Sequence, residues 1–483
     1  MKSKKLIDAI GLIGDDLIEN ADRPRLKRKI TRKKWFIPAA AAVLALVITA
    51  SVLFAPQKAP LTITAHAIAE AVYPKMAQYP AEEYEFGTND DEWEEKLEKW
   101  SDDRRERRQQ FDNDIDISPF LKKSIPQFLS GAEDQNIVYS PLNVYMALGM
   151  LAELTADSSQ KQILDLLGSD NIEELREQAN TLWNANYSDD GIYTSILASS
   201  LWLNEDVNFK KNALNILAEN YYSSSYQGKM GSDEFNRLLQ DWLNEQTGGL
   251  LKDQIGDIKM PAETVLALAT TIYFNAKWDN EFSENRTQKD IFYAKSGNIT
   301  CDFMKHSLAQ EFYIGEGFTA AQQEFKEGGG MWLILPNEGT DAQELLNNPQ
   351  AIDFISSNGK KGAQSKEAII NLSVPKFDVS SQIKLTEGLK NLGVTDVFDF
   401  KTSDFSPMTE DTDVAVSEAL HGARVQVDEE GCTAAAYTFI TTEGTGALWT
   451  DEEVDFVLNR PFVFAITSPD GLPLFVGIVN MPL

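Results

Sequence analysis

The sequence predicts an α+β fold preceded by one transmembrane helix. Three observations lead to this prediction. Segments with the apolar spacing of helices come first in the large C-terminal part, and runs of β-branched and aromatic residues cluster in its second half. An uncharged run of twenty residues, FIPAAAAVLALVITASVLFA, stands near the N-terminus. The chain has 483 residues, of which 43% are hydrophobic, so it can bury a large core.

Individual elements follow from local patterns. The helix with the clearest start is predicted from about Pro141 to Leu154, because Ser140 offers a capping hydroxyl and Pro141 suits the first helical position. Further helices are predicted around residues 160–167, 171–185, 212–220 and 233–246. Strands are predicted at residues 264–274, 331–335, 368–377, 423–427, 456–458, 462–467 and 474–479.

The N-terminal part predicts a membrane anchor. Residues 1–34 carry eleven Lys or Arg against five Asp or Glu and form a short basic cytoplasmic segment. Residues 35–55 are predicted to be a transmembrane helix, with the uncharged run 36–55 in the lipid bilayer. The positive-inside rule places the N-terminus in the cytoplasm and the large C-terminal part outside the cell. The alternative, a cleaved signal peptide, is disfavoured by the length of the basic region.

Residues 56–114 are predicted to be an acidic stalk. Opposite charges such as Glu95 and Lys99 stand four apart, which is typical of a solvated helix or a semi-rigid spacer. Trp93 and Trp100 lie seven residues apart and could share one helical face, so an interaction surface is the alternative. Residues 115–483 are then one large domain.

Composition excludes several classes of function. The net charge of −30 repels nucleic acid. Two cysteines cannot form a disulfide scaffold, and three scattered histidines do not have the spacing of a metal centre, so no metal and no cofactor are expected. No GxSxG surrounds any serine, and we therefore expect that the protein is not an enzyme and has no catalytic residue.

An unusual stretch precedes the last strands: VDEEGCTAAAYTFITTEGTGALWTDEEVDF, residues 427–456. Small and β-branched residues fill it between two acidic clusters. The stretch has too few large apolar side chains for a core strand and too many Ala, Thr, Ile and Phe for a surface loop. This composition is typical of a segment that can form a β-strand but is not yet part of a sheet.

Five segments resemble the serpin family in type, order and spacing. They cover about three-quarters of the chain and lie at Asn136–Thr155, Ala269–Phe282, Val374–Asp399, Ser417–Gly431 and Asn459–Pro482. The resemblance implies a fold of three β-sheets with about eight or nine helices and an exposed reactive loop. It further implies an inhibitor of serine-type endopeptidases. Together with the anchor predicted from the N-terminal part, it leads us to expect a bacterial, membrane-anchored and extracellular member of the family that is a monomer.

The resemblance also explains the unusual stretch. In serpins a target protease cleaves the reactive loop, is trapped as a covalent acyl-enzyme, and the N-terminal part of the loop inserts into the main sheet. The implied hinge comprises Glu429, Glu430, Gly431, Cys432, Thr433, Ala434, Ala435 and Ala436. Because a strand alternates its faces, the inward set begins with Cys432, Ala434 and Ala436, which are small enough to enter a formed sheet.

The resemblance implies two further groups of structural residues. The shutter is predicted to contain Ser140, Asn143, Thr270 and His421, and the breach contains Trp278. Asn143 and Thr270 exchange the amide and hydroxyl that the family has at these positions, so we expect the two side chains to face one another and to preserve the network with His421.

The resemblance implies, by the family's usual spacing from Gly431, a cleaved bond between Thr445 and Gly446. A small side chain there suits an elastase-like protease. The segment after this bond is longer than is typical of the family. Leu448 and Trp449 are therefore the alternative bond, which would suit a chymotrypsin-like or subtilisin-like target. The competing function is a non-inhibitory serpin-fold module that binds a partner or has a structural role at the cell surface.

Overall fold

A computed structural model describes most of the C-terminal domain and two stretches before it. The described residues are 66–80, 90–131, 134–250, 252, 256, 258–410, 414–416, 419–432 and 452–482. The predicted cytoplasmic segment 1–34, the predicted transmembrane helix 35–55 and most of the predicted reactive loop lie outside them. Among the described helices, none is both long and apolar enough to cross a membrane.

The first of two sheets, the main sheet, runs in the order β1-β5-β4-β6-β14-β13-β12, and β3 pairs with β4 beside this path. Its long central strands are rich in β-branched and aromatic residues, which suit a pleated and buried surface. The bounds of its strands are β1 Ala67–Ala69, β3 Ser188–Asp189, β4 Tyr193–Asn204, β5 Ser223–Gly228, β6 Leu266–Lys277, β12 Phe377–Lys384, β13 Leu420–Val427 and β14 Gly431–Cys432.

The second sheet runs in the order β15-β11-β8-β9-β10-β16-β17-β2, and β7 pairs with β8. Its strands are β2 Ile137–Tyr139, β7 Gln288–Ala294, β8 Gly297–Gly315, β9 Phe318–Glu324, β10 Gly330–Pro336, β11 Ala363–Pro375, β15 Glu453–Val457, β16 Phe462–Thr467 and β17 Pro473–Val479. The described residues thus form two sheets where three were expected, because β8 continues from its pairing with β7 to its pairing with β9.

Ten helices surround the sheets in the described part of the chain. The most buried is α3, which packs against β6 of the main sheet and β17 of the second sheet. Ser140 accepts a hydrogen bond from the Asn143 backbone N–H at its start, as expected of a capping serine. The helices are α1 Asp90–Phe111, α2 Ser118–Leu129, α3 Pro141–Glu153, α4 Asp157–Leu167, α5 Ile172–Asn186, α6 Lys211–Asn220, α7 Asp233–Gln246, α8 Ala342–Leu345, α9 Pro349–Ser356 and α10 Thr386–Asn391.

The described stretches of the predicted stalk pack against the domain, which corrects the expectation of a solvated spacer. Strand β1 pairs with β5 at the edge of the main sheet. Tyr73 stacks on Trp183, with 5.6 Å between ring centroids. On α1, Trp100 is buried and packs edge-on against Tyr79, while Trp93 Nε1 donates to the Pro80 carbonyl at 2.7 Å. The prediction of a spacer rested on the charges of this segment, whereas the observed contacts come from its widely spaced aromatic residues.

A buried ion pair attaches helix α1 to the turn that precedes β4. Arg104 Nε lies 3.3 Å from Oδ2 of Asp190, a residue that is 1% exposed, and its guanidinium also contacts Glu327. Asp190 Oδ1 accepts hydrogen bonds from the backbone N–H groups of Ile192 and Tyr193. The ion pair therefore joins the N-terminal segment to the turn that starts β4.

Replacing Arg104 by Gln is expected to lower the free energy of unfolding by about 3 kcal/mol, since it leaves the Asp190 carboxylate buried without its cation. Urea titration of the variant measures this loss. The matched control is Arg105→Gln on the same helix, because Arg105 pairs with Asp102 on the surface and both side chains are largely exposed. Equal stabilities of the two variants would contradict the assignment.

Candidate functional site

The hinge begins with a tight turn after β13. Asp428 Oδ1 accepts hydrogen bonds from the backbone N–H groups of Glu430 (3.0 Å) and Gly431 (3.2 Å), and the Asp428 N–H donates to the Gly431 carbonyl. A side-chain carboxylate bonded in this way stabilises a reversal of the chain. The chain therefore turns back, and β14 runs antiparallel to β13, with Cys432 opposite Val427.

Gly431 lies where the turn meets β6. A Cβ atom at this position would stand 2.3 Å from the Ala276 carbonyl oxygen and 3.0 Å from the Lys277 Cα atom. A side chain would therefore push the hinge away from β6. The next residue, Cys432, is 1% exposed and pairs with Ala276. Neither Cys432 nor Cys301 forms a disulfide.

Below β14 the main sheet has a slot between β6 and β13. Strand β6 pairs with β4 along its length but pairs on its other side only at Ala276 and Lys277 in the described part of the chain. Strand β13 likewise pairs with β12 throughout and with β14 at Val427. The apolar side chains of Leu266, Leu268 and Ile272 on β6 are only half-buried. Below β14, the facing edges of β6 and β13 therefore carry no backbone pairing in the described part of the chain.

The observed register indicates how the loop would fill this slot. Because β14 is antiparallel to both neighbours, extending its register places Ala434 between Phe274 and Val425, which are 4% and 2% exposed. The same extension places Thr438 between Thr270 and His421. In an inserted strand of this register, the residues on the core side of the sheet would be Cys432, Ala434, Ala436, Thr438, Ile440 and Thr442.

Trp278, the predicted breach residue, joins the end of β6 to the hinge. Its ring is 1% exposed and stacks on Phe325, with 4.9 Å between centroids. Its Nε1 donates to the Asp428 carbonyl at 2.9 Å, and its backbone N–H donates to the Glu430 carbonyl at 3.0 Å. The turn that starts the loop is thus held against the top of the slot by one residue.

Glu429 is anchored below the same turn. Burial pushes the pKa of its carboxyl up, but a hydrogen bond from Thr287 (2.7 Å) and an ion pair with Lys376 (2.5 Å) outweigh burial, so the pKa lies below its usual value. Its backbone carbonyl accepts from the Phe282 N–H at 3.0 Å. The sequence analysis placed Glu429 in the hinge but missed both of its partners, since neither stands near it in the sequence.

Two shutter residues make direct contact. The backbone N–H of Ser140 donates to Nε2 of His421 at 3.0 Å, which requires an unprotonated Nε2. His421 is 3% exposed and lies edge-on to Tyr139. Burial lowers the pKa of His421 to about 4. The imidazole is therefore neutral at physiological pH and acts as an acceptor.

The other two shutter residues do not meet as expected. Asn143 is buried at the start of α3, and its Nδ2 has no hydrogen-bond partner among the described residues. Thr270 stands on β6 opposite Ser199 of β4, across the slot from β13. The predicted bond from the Asn143 amide to Thr270 is therefore absent from the described residues.

Acid should destabilise the folded state through His421. Below pH 6.5 the unfolded chain protonates this imidazole, whereas the folded protein does not until about pH 4. The free energy of unfolding should fall across this window by roughly 3 kcal/mol. Urea unfolding at pH values from neutral to 4 measures the slope. His421→Gln should reduce the slope while its side-chain oxygen still accepts from Ser140; identical slopes would overturn the prediction.

The remaining predicted residues lie outside the described ones. They are Thr433, Ala434, Ala435 and Ala436 of the hinge and the two alternative bonds, Thr445–Gly446 and Leu448–Trp449. The described chain leaves the main sheet at Cys432 and resumes at Glu452, just before β15 of the second sheet. The Ile369 N–H donates to the Glu452 carbonyl at 2.7 Å. The loop between them is thus attached at both ends to different sheets.

These features define a class of protein: an α+β domain of two sheets in which the segment after Gly431 starts as a short strand of the main sheet and the chain resumes beside the second sheet. A family model described as "Serpin (serine protease inhibitor)" matches residues 121–482, three-quarters of the chain. The chain belongs to the serpin family.

Relatives from distant organisms support this assignment. Serpin-ZX of Arabidopsis thaliana is 26% identical over 73% of this chain and 93% of its own length. Plasminogen activator inhibitor 1 of Sus scrofa is 27% identical over 75% of this chain and 91% of its own. The crystal structure of the thermophilic serpin tengpin in its native state superimposes with a TM-score of 0.66 at 27% identity, covering 76% of this chain and 95% of that one.

Membership of this family has one direct consequence for function. Serpins are generally inhibitors of serine proteases, and the fold is not catalytic. The protein is therefore not an enzyme.

Proposed function

We propose that the protein inhibits serine-type endopeptidases by the suicide mechanism of its family. The observation that carries this proposal is the slot between β6 and β13, with Gly431 and Cys432 already at its upper end. A strand that continues from Cys432 finds unpaired edges on both sides. Formation of two new ladders is the driving force that inhibition requires.

The chemistry belongs to the target protease. Its serine oxygen attacks the carbonyl of the cleaved bond, the peptide C–N bond breaks, and the new amine leaves on the C-terminal side. An ester then joins the protease to the loop. Insertion of the loop from Cys432 downward carries the ester away before water can hydrolyse it. The residues of this chain supply the strand and the slot.

Loop composition supports insertion and suggests the target. The inward residues from Ala434 to Thr442 carry no charge and no proline, so they can enter the core side of the sheet. With cleavage between Thr445 and Gly446 the target is elastase-like. With cleavage between Leu448 and Trp449 it is chymotrypsin-like or subtilisin-like. No Lys or Arg stands between residues 428 and 453, which disfavours a trypsin-like target.

The proposal extends to where the inhibitor works. The uncharged run at residues 36–55 and the basic segment before it support a single-pass membrane anchor, with the serpin domain outside the cell. Anchoring would hold a monomeric inhibitor at the surface that an external protease attacks.

The test mixes the full chain, in detergent micelles, with elastase-, chymotrypsin-, subtilisin- and trypsin-like proteases. An SDS-stable complex together with a released C-terminal peptide supports the proposal. A peptide that starts at Gly446 selects the first bond, and one that starts at Trp449 selects the second. A protease whose catalytic serine is replaced by Ala is the control, because it cannot form the ester. Cleavage without any complex would refute inhibition and leave the non-inhibitory binding module.

A further inference from the structure

Helix α7 covers the outer face of the main sheet, the face that points away from the domain core. Trp242 of α7 lies in a buried cluster with Trp202 of β4, and Ala267 and Ala269 of β6 pack against this cluster. Because a strand alternates its faces, Tyr273 stands on the same face of β6. Helix α7 is therefore attached to the β4–β6 half of the main sheet, on one side of the slot.

The four residues after α7, here called the α7 extension (residues 247–250), reach both edges of the slot. Gly248 lies against β6, since a Cβ atom there would stand 2.9 Å from the Tyr273 ring, and its φ of +57° favours glycine. Leu250 reaches the other edge, where its backbone carbonyl accepts a hydrogen bond from Arg424 Nη1 of β13 at 2.5 Å. The α7 extension thus connects β6 to β13 across the slot.

Both partners of this hydrogen bond are held in place. Arg424 Nε and Nη2 donate to the two carboxylate oxygens of Asp378 on β12, at 2.8 and 2.5 Å, and this bidentate pair fixes the plane of the guanidinium. On the other side, the Gly249 N–H donates to the Asn244 carbonyl of α7 at 2.9 Å, and the Leu250 N–H donates to the Thr247 carbonyl at 3.0 Å. The contact therefore joins two ordered parts of the fold.

The register of β14 brings the path of the loop to this contact. Extending it places residue 435 between Tyr273 and Arg424, the two residues that the α7 extension touches. Residue 437 falls beside Thr271 on the same face, and Thr271 is only 3% exposed, so the outer face is already covered there. Ala435 is small, but an inserted Tyr437 needs space that the cover occupies. The cover has to move before the strand can enter.

We propose that Arg424 and the Leu250 carbonyl form a latch, which insertion of the reactive loop must open. This inference rests on the proposed inhibitory function. An inserted strand holds β6 and β13 two strand spacings apart and directs Tyr437 outward. The α7 extension stays with β6 through α7, so its hydrogen bond to β13 is lost as the loop enters. Arg424 is thus a positioning residue: it holds the cover closed, and the latch slows insertion until the loop is cut.

Arg424→Lys tests the latch, because one ammonium group keeps the charge beside Asp378 but cannot reproduce the fork that reaches both partners. The full chain in detergent micelles is heated in steps, and insertion of the intact loop is followed as loss of protease inhibition together with a rise in Tm. We expect insertion to be about tenfold faster in the variant than in the wild type, because a hydrogen bond from a charged group no longer has to be broken. The amides of residues 249 and 250 should also exchange deuterium faster.

Asp378→Asn is the matched control. It weakens the ion pair on the same guanidinium but keeps Arg424 and the Leu250 carbonyl, so it should lower stability without faster insertion. Equal acceleration in both variants would show general destabilisation and overturn the latch, as would equal insertion of Arg424→Lys and wild type. Failure of the proposed function would look different. The cleaved wild-type chain would then gain no thermal stability, whatever residue stands at position 424, and the latch would have no insertion to restrain.

Discussion

Replacing Ala434 by Glu is expected to convert the protein from an inhibitor into a substrate. The register of β14 places residue 434 between the buried side chains of Phe274 and Val425, so insertion would carry the new carboxylate into the core side of the sheet. Burial of an unpaired charge opposes insertion by about 4 kcal/mol, which slows it by roughly three orders of magnitude. The protease then hydrolyses the ester before the loop is inserted.

The matched control is Ala435→Glu. Residue 435 would face the opposite side of the sheet, beside Arg424, so this carboxylate should leave inhibition intact. The measurement is the number of inhibitor molecules consumed per protease molecule inactivated. It should rise at least about tenfold for Ala434→Glu and stay near the wild-type value for Ala435→Glu. Equal effects of the two substitutions would refute the register, and no effect of either would refute insertion.

Elements with strong local patterns could be predicted from the sequence. Helix α7 was predicted at its observed bounds, and α3 to within one residue, because apolar spacing and a capping serine mark both. Strand β4 was missed, since its serines at 195, 199 and 200 conceal an otherwise apolar run. Helix α2 was missed as well, because Pro126 inside it argues against a helix. Tertiary burial decides such cases, and a single sequence does not reveal it.

Part of the candidate site could likewise be predicted from the sequence, and part could not. The alternation of small residues after Gly431 was visible in the sequence, and the observed pairing of Cys432 with Ala276 agrees with an inward position. Contacts between residues that are distant in the sequence could not be predicted. Asp428 binding Trp278, and Glu429 binding Thr287 and Lys376, depend on how the ends of β6, β7, β11 and β13 meet. The expected hydrogen bond between Asn143 and Thr270 is likewise not formed among the described residues, where Asn143 Nδ2 has no partner.

Cleavage of the reactive loop should raise the thermal stability of the protein strongly. In the intact chain the described edges of β6 and β13 pair only at Gly431 and Cys432. Once the loop is cut, about ten residues can enter the slot and form ladders with both neighbours. At about 1 kcal/mol net per hydrogen bond this adds on the order of 10 kcal/mol, and the half-buried Leu266, Leu268 and Ile272 become covered as well.

Differential scanning calorimetry before and after cleavage by a protease that is not trapped measures this gain, which should be about 20 °C in Tm. The cleaved Ala434→Glu variant is the control. Its carboxylate should keep the loop out of the slot, so its Tm should change little. If cleaved wild-type protein melts where the intact protein does, the slot does not accept the loop. The stored free energy that inhibition needs would then be missing, and the protein would be a serpin-fold module without inhibitory function.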